Sequence, residues 1–548
     1  MDTRPTTPPS LSEARPEQRR DALTRLTPFG WSGGLVFIVT VLAASFFLFG
    51  YFSIYWRTAD MDFMVVYNAL VMNDGKPQWF FDHTGYFTIL AVKTWFQLLH
   101  SLGLLKAYSL PAIPPASDVA AFDAAMTSAV RAGRVAAWLI ATGFILTFAI
   151  LMRTIVRDWR VALLATFAFA FSGGVAMHLR IMRTEMIAAC LGIFALMILI
   201  ASARRGFASR PLALGLAALL CILGLDNKVQ LVLLIAAFPI LTLAFGSARS
   251  TSTGFWKNTG ASWFVAAVAG GIALLLAIKA IPLIATGLGM ASSMGLRPLI
   301  AGTFGLYQAA LIIFILACVI AFSVIWKISA SETLASIFAM IAGAALGLLA
   351  LNIEYNVHNV VAVINPVEKM LSFAGIPESG GGLSSAIHLL LSNIGGMLMR
   401  YTYVLRTSPR PSVFLIWVIV PGIIYAWRKG EHQTALQAAL LMLAALGIDT
   451  IGNQRGLGLQ VAYFVFTDPL IIIAGALLLD RMTDVRFMRW SYPIGLALVV
   501  VHVGFSQGEP VKRAFSRSGP EIVCTWNVEH MPLLPVPWCK ERPPASTL

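Results

Sequence analysis

Long apolar stretches recur along the chain from about residue 30 to residue 506, and short polar connections separate them. The runs 31–55, 261–285 and 307–326 are examples that hold almost no charge. A helix needs about 20 apolar residues to cross the ~30 Å hydrocarbon core of a bilayer, and these runs are long enough. The pattern predicts an all-α polytopic membrane protein with about thirteen transmembrane helices. Their expected centres lie near residues 43, 143, 170, 195, 218, 238, 273, 316, 342, 419, 442, 470 and 498.

The charges of the short loops predict the orientation of these helices. Cytoplasmic loops are enriched in Lys and Arg, and every second short loop here is basic. The basic loops contain Arg153/Arg157/Arg160, Arg204/Arg205/Arg210, Arg249/Lys257, Lys327, Arg428/Lys429 and Arg481/Arg486/Arg489. We therefore expect a disordered cytoplasmic tail over residues 1–28, a transmembrane domain over 29–506 and a short exoplasmic tail over 507–548.

Two of the predicted outer segments are longer than a connection needs, and they cover about residues 56–134 and 354–410. Within the first, residues 86–105 carry apolar positions at helical spacing with Lys93, Gln97 and His100 between them. This pattern is typical of an amphipathic helix that lies in the membrane interface. In the second, a glycine run at 380–382 precedes the apolar stretch 383–399, which predicts a second interfacial or re-entrant helix.

Composition agrees with the membrane class and changes how the charge is interpreted. Hydrophobic residues make up 58% of the chain and charged residues 12%, about half the share of a soluble protein. A net charge of +14 would suggest nucleic acid in a soluble protein. In a membrane protein, basic loops near anionic headgroups explain it, and there is no zinc-finger spacing or basic-aromatic module. We therefore expect no nucleic-acid partner.

The five cysteines divide into two groups. Cys190, Cys221 and Cys318 lie in apolar runs, where cysteine acts as a small hydrophobic residue. Cys524 and Cys539 lie in the polar tail that the topology places outside the cell, where disulfides form and persist. We predict a disulfide between them, with two unpaired thiols as the alternative.

The unusual charges lie at the same predicted side of the membrane. They occur after the first span and in successive outer turns, and they are Asp60, Asp62, Arg180, Arg183, Glu185, Asp226, Lys228, Glu354, His358, Asp449 and Arg455. Charge at the edge of a span is costly and is usually functional, with structural pairing or headgroup anchoring as the alternative. The set predicts an outer polar cavity. Its arginines and lysine suit an anionic ligand such as phosphate or pyrophosphate.

One stretch resembles a known family. Residues 57–70 read RTADMDFMVVYNAL, and Gly75-Lys76-Pro77 follow. An acid beyond the first span, then an aromatic residue, a Tyr and a Gly-x-Pro, resembles the first outer loop of the GT-C glycosyltransferases. Similar features are Arg183-Thr184-Glu185 at the head of a span, Lys228 at the start of another, and the Tyr-containing segment 460–470 before Pro469.

The resemblance implies transfer of a sugar from a polyprenyl-phosphate carrier to a lipid or glycan acceptor on the exoplasmic face. Asp62 matches the Asp-Phe form of the motif, and Asp60 makes Asp60-Met61-Asp62 a two-acid form, so these two are the candidate catalytic bases. The candidate donor-phosphate ligands are Arg180, Arg183, Lys228 and Arg455. The candidate acceptor or sugar ligands are Asp82, His83, Glu185 and Tyr67. Two features depart from the family: Asp82 is not part of an acidic pair, and the tail is too short for a separate soluble domain.

The chemistry is coherent from the residues alone. A carboxylate accepts the proton of the attacking hydroxyl, and cations stabilise the departing phosphate. No cofactor is required, although a divalent cation could bind between Asp60 and Asp62. The remaining alternatives are a transporter or lipid flippase, and an O-antigen polymerase or ligase. The arginine-rich start and the Ala/Leu richness favour a bacterial inner membrane.

Overall fold

The structure is a computed structural model, and it describes most of the chain. The described residues are 30–76, 85–205, 210–246, 251–252, 254–257, 259–293, 304–350, 383–402, 410–452, 461–481, 485–508, 511, 523–524, 531–534 and 536–539. Within these residues the regular structure is entirely helical, without a strand. The predicted all-α class is therefore confirmed.

The α-helices are labelled in chain order. They are α1 Gly30–Phe46, α2 Met64–Asn73, α3 Tyr86–Ser101, α4 Val119–Ile155, α5 Trp159–Ala170, α6 Gly173–His178, α7 Glu185–Arg205, α8 Arg210–Asn227, α9 Leu231–Phe245, α10 Gly260–Ser293, α11 Phe304–Ile325, α12 Ala330–Ala350, α13 Leu383–Thr402, α14 Val413–Arg428, α15 His432–Gly452, α16 Asp468–Arg481 and α17 Val485–Ser506.

Within the described residues, seven helical stretches are long and apolar enough to cross a membrane. They lie in α1, α4, α7, α8, α10, α12 and α15. Shorter apolar helices occur in α5, α9, α11, α14 and α17. Every centre predicted from the sequence falls inside one of the α-helices. The chain is thus an α-helical polytopic membrane protein, while the count of thirteen crossings stays a prediction.

The core of the bundle is built around α7. In an 18-residue apolar window of Glu185–Arg204, 89% of the residues are buried, whereas the corresponding windows of Gly30–Tyr51 and Gly260–Pro282 have only 22% and 17% of their residues buried. A helix that is apolar on all sides can either be enclosed by other helices or face lipid. Helices α4, α8 and α9 pack against α7, so its apolar surface is covered by protein. The sparsely covered α1 and α10 expose theirs.

A second core lies at the end of the bundle that carries the long 56–134 segment, which we call the outer end after the predicted topology. Here α2, α3 and the first half of α4 pack with residues of the C-terminal tail. The tail contributes Val523, Met531, Leu534 and Val536, which are buried. Cys524 and Cys539, the pair that the sequence predicted, are joined by a disulfide. We call this unit the outer subdomain.

Aromatic contacts connect the tail to the first outer segment. The ring of Trp538 lies 6.2 Å from the Tyr55 ring and 6.0 Å from the Phe122 ring, between centroids. Burial raises the pKa of the Tyr55 phenol above its ordinary value, and the nearby negative charge of Asp123 raises it further. The tail is therefore part of the packed outer subdomain.

The chain between α1 and α2 is not a regular helix. A π-helical turn covers Phe47–Tyr51, a 3-10 turn covers Tyr55–Thr58, and a second π-helical turn covers Ala59–Phe63. Such π-turns are rare and occur frequently at functional sites. The first helix predicted from the sequence is thus broken before it reaches Tyr55, and the break brings the 60–62 segment back against the bundle.

Candidate functional site in the outer polar layer

Charged side chains from distant parts of the sequence meet beneath the outer subdomain, and we call this region the outer polar layer. Asp62 is fully buried there. Its Oδ2 atom lies 2.6 Å from Arg134 Nη2 and accepts a hydrogen bond from Arg134 Nε at 2.8 Å. Its Oδ1 atom accepts a 2.6 Å hydrogen bond from the backbone N–H of Met182. Asp62 therefore joins α4 to the turn between α6 and α7.

Arg134 completes this connection. It lies in the apolar interior of α4 with none of its surface exposed, and Nη1 also donates to the carbonyl oxygen of Gly50 at 3.2 Å. A buried guanidinium needs a carboxylate and further acceptors to offset the loss of its hydration. Asp62 and the carbonyls at the end of the first π-turn supply them. The π-turns and the turn 179–184 are thus held by one ion pair.

A second group of charges surrounds Glu185 at the start of α7, and we call it the Glu185 cluster. The carboxylate lies 3.0 Å from Lys228 Nζ, 3.2 Å from Arg183 Nη2 and 3.4 Å from His178 Nε2. Lys228 Nζ also lies 5.8 Å from the centroid of the Tyr463 ring. Glu185 and Lys228 are 0% and 1% exposed, so the cluster is screened from water in this state. Two permanent cations and an imidazole thus converge on one carboxylate.

The first outer segment is anchored directly beside this cluster. The side chain of Asn227 donates to the Thr184 carbonyl oxygen and accepts a 3.0 Å hydrogen bond from the backbone N–H of Thr88. Gly85, which precedes α3, has φ +57°, and a Cβ there would come within 2.6 Å of Thr184 Cγ2. Glycine is favoured at Gly85 by the left-handed backbone and by the close approach. The beginning of α3 therefore lies against the turn that carries Arg183.

Arg180 lies in the same turn but binds different partners. Its Nη2 donates to Ser45 Oγ at 2.9 Å and to Gln507 Oε1 at 2.8 Å. The guanidinium lies over the Phe49 ring at 5.0 Å. Burial lowers the pKa of Arg180 to about 10. Within the part of the chain that the structure describes, its partners come from α1, the first π-turn and the residue after α17.

The third group is the Arg410 network. Arg410 is fully buried, and it donates to Asp449 Oδ2 at 2.9 Å, to Asp468 Oδ1 at 2.7 Å and to Thr467 Oγ1 at 2.6 Å. Tyr401 donates to the Asp449 carboxylate at 2.6 Å. One guanidinium is thus shared by two carboxylates, and it connects the ends of α13, α15 and α16.

The structure brings together some of the residues predicted from the sequence. Arg183, Glu185 and Lys228 meet in the Glu185 cluster, and Asp62 reaches the adjacent residue Met182. Tyr67 lies elsewhere, in the outer subdomain, where its hydroxyl oxygen accepts a 3.3 Å hydrogen bond from the Leu533 N–H. Asp82, His83, Arg455, Glu354 and His358 lie outside the described residues.

The side chain of Asp60 is likewise outside the description, although its backbone belongs to the second π-turn. Arg134 and Arg410 were missed as site residues. The sequence signal for Arg134 was an arginine within an apolar helical run, where charge is expensive.

The predicted outer polar cavity stays a prediction, because several of the residues expected to line it lie outside the described residues. The described charges of this layer are buried and bonded to one another. Among the described residues, two cavities lie between membrane helices, and apolar residues dominate both linings. The larger, about 570 Å³, lies among α7 to α12 and is lined by residues such as Leu199, Cys221 and Phe322. Arg134, Arg183, Lys228 and Arg410 are each paired with a carboxylate in this layer.

No group of three or more His, Cys, Asp or Glu side chains in the described residues is arranged to hold a metal ion. No family model, curated protein or solved structure matches the chain.

Proposed function

We propose that the protein is a membrane glycosyltransferase of GT-C type, which transfers a sugar from a polyprenyl-phosphate donor to a lipid or glycan acceptor at the outer polar layer. The observation that supports this most directly is the Glu185 cluster. Arg183, Lys228 and His178 converge on one carboxylate within 3.4 Å. A phosphate that departs from the anomeric carbon gains negative charge, and preorganised cations in a dry site stabilise that charge.

The acid of the motif lies next to this cluster. Asp62 accepts a hydrogen bond from the N–H of Met182, the residue before Arg183. A hydroxyl that attacks the anomeric carbon needs a carboxylate within hydrogen-bond reach to accept its proton. Asp62 and the basic side chains of the Glu185 cluster lie around the turn 179–184, and they provide the two halves of that chemistry. The reaction inverts the anomeric centre because the attack and the departure are in line.

The ion pair with Arg134 affects which of the two acids, Asp62 or Asp60, is free to act as the base. Asp62 is bonded through both oxygens, so it acts as the base only after Arg134 releases it. In its paired state Asp62 positions the turn and the segment 59–63. Asp60 belongs to the same π-turn and matches the two-acid form of the motif. It is therefore the alternative base.

The first test measures transfer of a radiolabelled sugar from a polyprenyl-phosphate donor to extracted membrane lipids, with purified protein in proteoliposomes. Lys228→Met should lower the transfer rate by at least about a hundredfold, because one cation that stabilises the leaving group is lost. Lys257→Met is the matched control, since Lys257 is exposed and lies outside the polar layer. Transfer by Lys228→Met at the wild-type rate would contradict the proposal.

The second test separates the two acids. If Asp62 is the base, Asp62→Asn abolishes transfer while the protein still elutes as a folded species from size-exclusion chromatography; if Asp60 is the base, Asp60→Asn does so. Normal transfer with both residues neutralised would sink the assignment of a base to this segment. Substrate movement across sealed vesicles, without any transfer, would point to the transporter alternative.

A further inference from the structure

Arg180 differs from the other arginines that are buried in the outer polar layer. Arg134 and Arg410 each bind carboxylates. Arg180 is 5% exposed, and among the described residues its hydrogen bonds go only to the neutral groups Ser45 and Gln507. In the described structure it is a cation enclosed without a counter-charge.

Part of its donor capacity is also unused. An arginine has five N–H donors, and both donors of Nη2 are taken by Ser45 and Gln507. The Nε and Nη1 atoms of Arg180 are buried and have no acceptor within the part of the chain that the structure describes. Leaving buried donors without acceptors costs free energy, and native proteins rarely leave them so without a reason. An anion with several oxygens would satisfy both atoms.

The position of Arg180 indicates where such an anion comes from. Ser45 lies on α1 and Gln507 directly follows α17, and both helices pack on α5. The surface beside them is apolar and uncovered, since Leu48 is 73% exposed and Phe505 is 36% exposed. In a membrane protein such a surface faces lipid. An anion that arrives along it is attached to a hydrocarbon chain.

The backbone beside Arg180 is shaped to admit this side chain. Gly50 lies at the end of the first π-turn, and a Cβ there would come within 3.1 Å of Arg180 Cα and 3.2 Å of its Cβ. The guanidinium carbon of Arg180 lies over the Phe49 ring, 5.0 Å from its centroid. The irregular end of α1 therefore accommodates Arg180 between the two lipid-facing helices.

We propose that Arg180, Ser45 and Gln507 form a binding site for the phosphate headgroup of an anionic lipid, at the seam between the outer ends of α1 and α17. Arg180 Nε and Nη1 donate to phosphate oxygens. The hydroxyl of Ser45 and the amide of Gln507 orient the guanidinium. The site is separate from the Glu185 cluster in its partners, and the inference does not depend on the proposed transfer reaction.

The test uses the full-length protein in nanodiscs of phosphatidylcholine, with or without phosphatidic acid, whose headgroup is a phosphate monoester. Wild-type protein should show a higher Tm with phosphatidic acid and a lipid adduct in native mass spectrometry. Arg180→Met should weaken this binding by about tenfold or more, because charge-assisted hydrogen bonds are lost. Its Tm in phosphatidylcholine alone should equal or exceed that of the wild type, since an uncompensated buried charge is removed.

Two controls make the outcome decisive. Arg131→Met should keep the phosphatidic-acid shift, because Arg131 lies over the Tyr51 ring at 5.4 Å and is not bonded to Ser45 or Gln507. Inorganic phosphate added to phosphatidylcholine nanodiscs should give no shift. An equal shift with inorganic phosphate would overturn the lipid as the source of the anion.

Three further results would overturn the site itself. The first is no Tm shift and no adduct in the wild type, and the second is an unchanged shift in Arg180→Met. The third is a fall in the Tm of Arg180→Met without phosphatidic acid, which is the behaviour of a structural arginine. Sugar transfer is measured in parallel. Arg180-dependent lipid binding without any transfer would leave this site standing and remove the proposed function, whereas transfer by the wild type without any Arg180-dependent lipid binding would do the reverse.

Discussion

The Arg410 network and the Glu185 cluster occupy the same polar layer but contain opposite proportions of acid and base. In the first, one guanidinium binds the carboxylates of Asp449 and Asp468. In the second, one carboxylate, Glu185, receives Arg183, Lys228 and His178. Both are buried, so burial alone does not distinguish a structural network from a binding site. What distinguishes them is whether carboxylates or basic side chains are in excess.

The difference has a physical consequence for ligands. The Arg410 network ties three helix ends with hydroxyl and carboxylate partners, and an added anion would meet carboxylates there. The basic side chains of the Glu185 cluster favour an incoming anion instead, which could compete with Glu185 for them. The first network should therefore determine stability and the second should determine activity.

The largest effect is expected for Arg410→Met. It leaves two buried carboxylates without their cation, and breaking a buried pair in this way costs about 5 kcal/mol. The free energy of unfolding, or the Tm in detergent, measures it. Arg428→Met at the exposed end of α14 is the control and should change the Tm little. A stable Arg410→Met protein would remove the structural role of this network.

A smaller loss, about 3 kcal/mol, is expected for Glu185→Gln because the basic side chains lose their shared carboxylate. Adding Lys228→Met to Glu185→Gln should recover part of that stability, since one of the buried cations left without a carboxylate is removed as well. Tm values of the two single variants and the double variant form the cycle. If the change in Tm of the double variant equals the sum of the changes in the two single variants, Glu185 and Lys228 do not interact energetically.

The contact between α6 and the 3-10 turn Val461–Phe466, which connects the two networks, provides the next test. Gly174 lies in α6 against the 3-10 turn Val461–Phe466, and a Cβ there would come within 2.5 Å of the Val465 backbone nitrogen. Gly174→Ala should therefore destabilise the protein by about 2 kcal/mol through overpacking. Gly143→Ala, on an open face of α4, should stabilise it by about 0.5 kcal/mol. Equal Tm shifts for the two alanines would contradict the close approach.

The smallest effect is expected for Tyr463→Leu. It removes the aromatic face that lies 5.8 Å from Lys228 Nζ, which is worth about 0.5–1 kcal/mol. The Tm should fall slightly, and sugar transfer should fall less than in Lys228→Met. A loss of transfer as large as that of Lys228→Met would mean that the ring, rather than the cation, is the important partner.

Most of the helices could be predicted from the sequence because long apolar runs have few alternatives in a membrane. The helix at Tyr86–Ser101 was also anticipated, since its apolar positions follow helical spacing. The clustering of charge at one end was visible from loop positions. What could not be predicted was the pairing. Asp62 and Arg134 are 72 residues apart in the sequence, and no local pattern indicates which arginine a given carboxylate binds.

The π-turns could not be predicted from the sequence for a different reason. Residues 47–55 are as apolar as the helix before them, so the hydrophobic pattern continues across the break. The break follows from tertiary contacts, in which Arg134 binds the carbonyl oxygen of Gly50. Likewise, the sequence shows Arg410 only as a residue next to Pro411, and its role depends on carboxylates 39 and 58 residues away.

The packing of the tail into the outer subdomain has a consequence for the synthesis of this protein. Tyr55 and Phe122 emerge early from the ribosome, yet Trp538 completes the core in which they are buried. During translation these aromatic residues remain without their final neighbours until the chain has been made as far as Trp538. Oxidation of Cys524 and Cys539 then closes the last segment onto them. Nascent chains that stop before residue 523 would expose this surface and become targets of quality-control proteases.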